Sequence, residues 1–450
     1  METAPFNKTL FAGQAYYIET FGCQMNVRDS ETIAGILTDC GFSGPCATKE
    51  DADLILYNTC CVRDHAEKRV FGNIGALREL KQAKPNCIIG VCGCMMQQKE
   101  VAQRLYKRFP YVDMVFGTNL LSRLPAFLSD VLEGNRVFAI EKDAVQIEDT
   151  LPTIRGESMN AFVNINYGCN NYCTYCIVPY VRGPERSRQP EAILKEIGDL
   201  VQAGYSEITL LGQNVNSYGN DLDGWDFASL LTKVSDVEGL KRIRFMTSHP
   251  KDLSDRLIDA IAALPNVCHH VHLPMQSGSN RVLKRMNRRY TREDYLRIVE
   301  HLHQAMDDVE LTTDIIVGFP GETEEDFLET LDLVEKVCFS SAFTFQYSIR
   351  KGTAAAIMPD QIEETVKRDR LKRLNALQDR MSARNNAKYP GFCGEVHVEG
   401  WDVNKLPMAY GKYKNFKMVY FPSDVDLTGQ YVNVRVTGAR KSALIGECVK

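Results

Sequence analysis

The chain has 450 residues, room for about three domains of ordinary size, and its 44% apolar and 25% charged content is that of a soluble globular protein. No run approaches the roughly 18 apolar residues of a membrane span, and the start, Met1-Glu-Thr-Ala-Pro-Phe6, lacks the basic and apolar regions of a signal peptide. A cytoplasmic protein with no membrane attachment is therefore expected. The net charge of −5 does not favour nucleic acid by itself, but residues 361–450 carry 16 Lys and Arg against 10 Asp and Glu, a net of +6, which leaves −11 on the first 360.

Residues 15–132 alternate short apolar runs, at 16–18, 54–57, 88–91 and 113–116, with stretches of helical spacing such as Ile33, Ile36 and Leu37. This pattern predicts a doubly wound parallel sheet. Three strand ends deliver cysteine into the following turn: Cys23, then Cys60 and Cys61, then Cys92 and Cys94. Parallel strands align their C-terminal ends along one edge, so thiols far apart in sequence converge there and can hold an iron–sulfur cluster with one iron left open. Ordinary buried cysteines are the competing reading, but they do not account for three successive repeats. Spacing does not decide between Cys60 and Cys61 or between Cys92 and Cys94. Fifteen cysteines in a large chain without an export signal argue for reduced thiols and metal ligation, and Cys40, Cys268, Cys338 and Cys448 read as small buried residues.

Residues 134–160, with Glu141-Lys-Asp143, Ile147-Glu-Asp-Thr150 and Pro152, read as a polar linker containing a short extended piece. From Ala161 six strand candidates recur, at 162–165, 207–211, 243–246, 270–273, 313–317 and 343–347, separated by helical stretches such as 190–203 and 324–337. Six β/α units predict an incomplete barrel whose C-terminal face carries the polar strings 212–216, 247–250, 274–277 and 318–322.

The turn after the first of these strands reads Gly168-Cys-Asn-Asn-Tyr-Cys-Thr-Tyr-Cys176. Cys169, Cys173 and Cys176 leave a four-iron cluster one ligand short, whereas electron-carrying clusters and structural zinc sites use four ligands. The basic run 281–292 reads as a solvated helix face slightly better than as an RNA channel, and His269, His270 and His272 as core or network residues. No GxGxxG fingerprint or P-loop occurs.

After Gln361 a basic helix is expected to about Ala387, followed by short strands at 395–399, 417–421, 431–436 and 444–449 that suggest a small β-barrel. Between them, Tyr410-Gly-Lys-Tyr-Lys-Asn-Phe-Lys417 alternates cations with rings and is expected to meet phosphates and bases. The whole chain is read as α/β: 1–133 a cluster-binding doubly wound domain, 134–160 a linker, 161–385 a partial (β/α)6 barrel and 386–450 an RNA-binding β-barrel.

The Cys169–Cys176 loop, with Tyr175 before its last thiol, resembles the CxxxCx-aromatic-C motif of radical S-adenosylmethionine (SAM) enzymes. With Thr20-Phe-Gly-Cys-Gln-Met-Asn26, Asn58-Thr-Cys60 and Gly93-Cys94, the chain resembles the methylthiotransferase family, which has a thiol-bearing N-terminal domain, a radical SAM barrel and a C-terminal TRAM domain. Gly212-Gln-Asn-Val-Asn-Ser-Tyr218 and Val178-Pro-Tyr-Val-Arg-Gly183 are most similar to the MiaB type, which methylthiolates carbon 2 of N6-isopentenyladenosine at tRNA position 37.

The resemblance implies two 4Fe-4S clusters, one on Cys169, Cys173 and Cys176 and an auxiliary one on Cys23, Cys60 and Cys94, with Cys61 and Cys92 as bystanders. It further implies that one SAM yields the radical that attacks an unacidic aromatic C–H bond, while another methylates sulfur held at the auxiliary cluster. SAM contacts are expected from Tyr175, Gln213, Ser248, Gln276 and Asp314, and a grip on the anticodon arm of tRNA from the residues around Tyr410. A flavodoxin or ferredoxin system is the implied electron donor, and a monomer is expected. Threonylcarbamoyladenosine in tRNA and an aspartate of a ribosomal protein are the alternative substrates within the family. Outside it stand a nonenzymatic iron–sulfur RNA-binding protein and a zinc-bearing RNA methyltransferase.

Overall fold

The computed structural model describes residues 11–61, 64–141, 147, 149, 151–156, 160–402 and 407–449. The N-terminal string 1–6 and most of the linker strings at 141–143 and 147–150 lie outside them. The chain forms two compact units, the first built from 1–157, 167–170 and 177–188, the second from 158–166, 171–176 and 189–450.

The first unit runs β1 (Tyr16–Thr20), α1 (Gln24–Asp39), β2 (Leu54–Thr59), α2 (Asp64–Ala83), β3 (Ile88–Gly93), α3 (Lys99–Arg108), β4 (Met114–Phe116), α4 (Leu124–Leu132) and β5 (Val137–Ala139). The five strands form a parallel sheet in that order. Beyond β1 a single bridge joins Tyr16 to Pro45, so the chain steps outward through α1 and then returns across β1 to β2. Strand order therefore reverses at β1, and the C-terminal ends of β1 and β2 flank a switch point where ligands bind in such sheets. The unbroken apolar runs are explained by burial on both faces. Leu54 and Leu56 pack with Ile33, Leu37 and Leu124 of α1 and α4, whereas Ile55 and Tyr57 pack with Val70, Leu77 and Leu105 of α2 and α3. The short extended piece expected within 134–160 is β5, the fifth strand of this sheet.

The chain continues through β6 (Asn160–Asn164), the two-residue β7 (Asn166–Tyr167), α5 (Val178–Arg182) and the two-residue β8 (Arg186–Ser187). Of these, α5 and β8 belong to the first unit, where Ile177 and Val181 join the core containing Cys60, Cys61 and Cys94. The second unit then adds α6 (Pro190–Gln202), β9 (Glu207–Leu211), α7 (Phe227–Ser235), β10 (Arg242–Phe245), α8 (Asp255–Ala263), β11 (His270–His272), α9 (Asn280–Arg285), α10 (Arg292–Ala305), β12 (Glu310–Val317), α11 (Glu324–Val337), β13 (Ser341–Gln346) and α12 (Glu364–Asn386). Parallel sheets β6-β9-β10 and β11-β12-β13, joined by the bridge Ile243–Val267, make the open six-stranded barrel read from the sequence. Threonine capping boxes at Thr291 with Asp294 and Thr323 with Asp326 start α10 and α11, each satisfying free N–H groups of a first turn.

Strands β14 (Cys393–Asp402), β15 (Met408–Tyr413), β16 (Met418–Pro422), β17 (Tyr431–Ala439) and β18 (Leu444–Cys448) close a small barrel around Val396, Val398, Val419, Phe421 and Val434. Here the expectation for 410–417 needs correction, because most of that string faces the (β/α)6 barrel. Phe416 stacks on His270 with ring centroids 4.3 Å apart, and Asn415 Nδ2 donates to the Asp308 carbonyl at 3.3 Å. Lys417 Nζ donates to Ser340, Asn385 and Asn386, each at 2.8 Å, and lies 3.2 Å from Glu310. Phe416 and Lys417 lie in the turn between β15 and β16, with Phe416 at φ +73°, so a string that reads as basic and aromatic supplies a latch between barrels. Tyr410 and Tyr420, paired at 5.6 Å, remain on the other face.

Candidate functional site

At the switch point of the first unit, the turns after β1 and β2 are tied to each other. Asn26 Nδ2 donates to the carbonyls of Phe21 (2.7 Å) and Thr59 (3.0 Å), and Asn58 Nδ2 donates to the Asn26 carbonyl (2.8 Å). Gly22, at φ +114°, lets the β1 turn close on the β2 turn, since a Cβ there would meet Cys60 Cβ at 2.5 Å. Cys23 is exposed, whereas Cys60, Cys61, Cys92 and Cys94 are buried.

The two ambiguous pairs resolve differently. Cys92 points from β3 into the core of Ile33, Leu37 and Leu124, where burial pushes its thiol up. Cys94 leaves the strand, accepts a hydrogen bond from Arg182 Nε at 3.1 Å, and donates to Asn26 Oδ1 at 3.6 Å. A bond from the Cys61 thiol, working against burial and reinforced by the Arg182 charge, lowers the pKa of Cys94. Both Cys60 and Cys61 stay beside the site, one against Gly22 and the other against Cys94.

Among the described residues no three His, Cys, Asp or Glu side chains are already gathered as a metal site. The thiol chemistry and the Gly22 cradle nevertheless fit a cluster held by thiolates from adjacent turns, with Arg182 as a charged donor to sulfur.

The second cysteine loop is held from both of its ends. In the first unit, Gly168 at φ +75° brings the chain so near Pro184 that a Cβ would stand 2.0 Å from its carbonyl oxygen, and Cys169 N–H donates to the Gly183 carbonyl. In the second unit, Thr174 N–H donates to the Met286 carbonyl and its hydroxyl to the Arg285 carbonyl, while Asn287 Nδ2 donates to the carbonyls of Asn171 and Tyr172. Cys176 N–H donates to the Cys173 carbonyl at 2.9 Å. Tyr172 and Asn287 both hold positive φ, local strain that this network maintains. Arg288, 8% exposed, reaches Cys173 Sγ with Nη1 at 3.5 Å and donates to the Pro274 carbonyl at 3.0 Å.

The strand ends of the open barrel present polar groups. Ser248 Oγ, Gln276 Oε1 and both polar side-chain atoms of Asn216 are buried without a hydrogen-bond partner among the described residues. Thr247 and Gln276 sit at positive φ, and Gln276 bridges to β12 through Asp314 O and Ile316 N. Asp314 Oδ2 lies 3.5 Å from His272 Nε2. Tyr175 packs edge-on to Phe319 in an apolar cluster with Val282 and Met286, and Gln213 is half-buried past the end of β9. Unsatisfied buried polar atoms cost about 1–3 kcal/mol each, so this group fits a polar ligand such as SAM.

The sequence alone does not single out Arg182, Arg288 or Asn216 as site residues. Arg182 stands in the motif 178–183, and Arg288 in a basic run where Arg281 pairs with Asp326, Arg285 with Asp360 and Arg292 with Asp332.

A three-thiol loop following the first strand of an open (β/α)6 barrel, together with convergent polar strand ends, defines the class of radical SAM proteins. The Radical SAM superfamily matches residues 163–334, and residues 15–117 match a family described as Uncharacterized protein family UPF0004. Among solved structures, the radical SAM methyltransferase TsrM from Kitasatospora setae matches with TM-score 0.55 at 15% identity over 77% of this chain and 75% of that one. The cobalamin-dependent radical SAM enzyme OxsB matches with TM-score 0.51 at 14% identity over 82% and 56%. Both likenesses concern the fold alone.

The sequence relatives are far closer. A tRNA-2-methylthio-N(6)-dimethylallyladenosine synthase of Thermoanaerobacter pseudethanolicus is 52% identical over 97% of this chain and 93% of its own, and one of Clostridium perfringens 52% over 97% and 98%. That of Desulforamulus reducens is 51% identical over 96% and 95%. The chain belongs to the tRNA-2-methylthio-N(6)-dimethylallyladenosine synthase family.

Proposed function

We propose that this chain is a radical SAM methylthiotransferase that adds a methylthio group to carbon 2 of N6-dimethylallyladenosine at position 37 of tRNA. The single observation that carries this reading is the pair of cysteine sites, each with a buried arginine on a thiol sulfur, in a chain about half identical to synthases of that name over nearly its full length. We assign one 4Fe-4S cluster to Cys169, Cys173 and Cys176 and an auxiliary one to Cys23, Cys60 and Cys94. When bound, the clusters and SAM supply hydrogen abstraction by a SAM-derived radical and transfer of methylated sulfur.

The chain's own residues bind and orient. Three thiolates would hold each cluster, and Arg182 and Arg288 would offset their negative charge. Ser248, Gln276, Gln213 and Asp314 form the polar contacts of SAM, with Tyr175 against its adenine, and the apolar cluster around Phe319 excludes water there.

The functional domains are assigned as 1–133, 161–385 and 386–450, with 134–160 between the first two carrying β5 of the first sheet. The C-terminal barrel, through Tyr410 and Tyr420, faces the anticodon arm. We infer a cytoplasmic monomer reduced by a flavodoxin or ferredoxin system. No helix among the described residues is long and apolar enough to cross a membrane.

The test is mass spectrometry of nucleosides from tRNA bearing dimethylallyladenosine, incubated with anaerobically reconstituted, reduced protein and SAM. Gain of a methylthio group on that nucleoside supports the reading. Cleavage of SAM with the RNA unchanged rejects this substrate in favour of threonylcarbamoyladenosine or a ribosomal protein.

A further inference from the structure

Strand β13 closes one side of the open barrel, and its outward residues are covered by α12, where Thr344 Oγ1 donates to Asn375 Oδ1 at 2.6 Å. The opposite face carries Ser341, Phe343 and Phe345. These phenylalanines are 54% and 47% exposed, although they stand on the lumen side of a barrel. Register fixes their neighbours, with Asp314 beside Phe343 and Ile316 beside Phe345. The His272 ring meets Phe343 edge-on, with centroids 5.9 Å apart. At the other end of the lumen, the C-terminal barrel's Phe416 already covers His270. The bare rings thus lie toward the strand ends, where Ser248, Gln276 and Asn216 collect and where barrels of this kind receive substrates.

We propose that Phe343 and Phe345 form the wall that recognises the dimethylallyl-bearing adenine, an inference that rests on the activity proposed above. Residues i and i+2 on a strand are roughly 6.6 Å apart, a spacing at which one ring faces the purine while the other packs against its branched five-carbon substituent. Charge selects between substituents. The inward positions of this sheet, His270, His272, Glu310, Thr312, Asp314 and Ile316, include no lysine or arginine. Asp314 adds a carboxylate beside Phe343. An N6 substituent ending in a carboxylate, as in threonylcarbamoyladenosine, meets the like charge of Asp314 on this sheet, whereas a neutral alkenyl group meets two rings.

The experiment measures binding of anticodon stem-loop RNAs to the full-length reconstituted protein by fluorescence anisotropy, with adenosine 37 unmodified, dimethylallylated or threonylcarbamoylated. Wild type should prefer the dimethylallyl RNA over the unmodified one by about tenfold or more, the scale of discrimination in an apolar pocket. In F343A and F345A that ratio should fall toward one while affinity for the unmodified RNA holds, and F345Y should keep most of it. Iron content and RNA-independent SAM cleavage report folding of the variants. Unchanged ratios in both alanine variants, or no preference in wild type, overturn the proposed wall. Methylthiolation by wild type separates the two readings: product formed with unchanged ratios removes the wall alone, and no product from dimethylallyl RNA removes the activity.

Discussion

The guanidinium of Arg182, 5% exposed, bridges Cys94 and Asp29, with Nε 3.1 Å from the sulfur and Nη2 2.7 Å from Asp29 Oδ2. A third bond runs from Nη2 to Asn26 Oδ1 at 3.0 Å, so one side chain ties α5 to the β1 turn and to the β3 turn. Removing one member of such a buried pair leaves the other charge uncompensated, at about 3–5 kcal/mol. Arg182→Gln is therefore expected to lower unfolding free energy by that amount in denaturant titrations of the metal-free protein, and the double variant R182Q/D29N to recover most of the loss. A single variant within about 1 kcal/mol of wild type would show that the pair contributes little.

Arg288 has the same relation to the other cysteine site, through Nη1 at 3.5 Å from Cys173 Sγ. A positive donor on a ligand sulfur favours the more negative, reduced cluster. Arg288→Gln is expected to shift the midpoint of the assigned cluster downward by on the order of 60 mV, the equivalent of tenfold for a one-electron couple. Redox titration followed by electron paramagnetic resonance measures it, and an unmoved midpoint removes Arg288 as a tuning residue.

What was legible in the sequence, and what was not, follows from the range of the forces involved. The cysteine turns and the β/α alternation are local, so spacing displayed them. β5 is three residues long and holds its place by pairing with β4, leaving only a short extended signal within a polar stretch. Arg182 and Arg288 look like other arginines until tertiary structure buries them. Lys417 misled for the same reason, since its cation neutralises Glu310 inside the protein and is not turned to phosphate. Cys92 and Cys94 are two residues apart, but β3 ends between them, so one stays in the core and the other enters the turn.

Glu207 joins the two barrels of the second unit. Its carboxylate accepts from Arg244 Nε at 2.8 Å and lies 3.3 Å from His397 of β14, while the neighbouring Arg242 donates to backbone carbonyls of the C-terminal barrel. Burial alone would raise its pKa, but the charge and hydrogen bond of Arg244, with His397 3.3 Å away, bring it to about 2. A folded value below the unfolded carboxylate range stabilises the fold fully above about pH 4.5, and this contribution is lost as pH falls toward 2. At roughly 1.4 kcal/mol per pH unit it amounts to about 3 kcal/mol. The gap in stability between wild type and Glu207→Gln should accordingly narrow across that window in urea titrations, and a gap constant with pH would discard this account.

The two assigned clusters make separable demands on the cysteines. Cys173 lies in the barrel loop beside Arg288, whereas Cys23 is the exposed thiol at the switch point of the first unit. Cys173→Ala is expected to abolish production of 5′-deoxyadenosine from SAM, because the cluster that binds SAM loses a ligand. Cys23→Ala should leave that cleavage within about twofold of wild type, since nothing in the barrel changes, yet should stop methylthio transfer to tRNA. Iron analysis should show each variant retaining one cluster's complement, which separates loss of a cluster from loss of the fold. Because Cys61 stands beside Cys94, Cys60→Ala is the stringent companion. Loss of transfer in C60A, with transfer preserved in Cys61→Ala, selects Cys60 as the ligand, and the reverse outcome exchanges their roles.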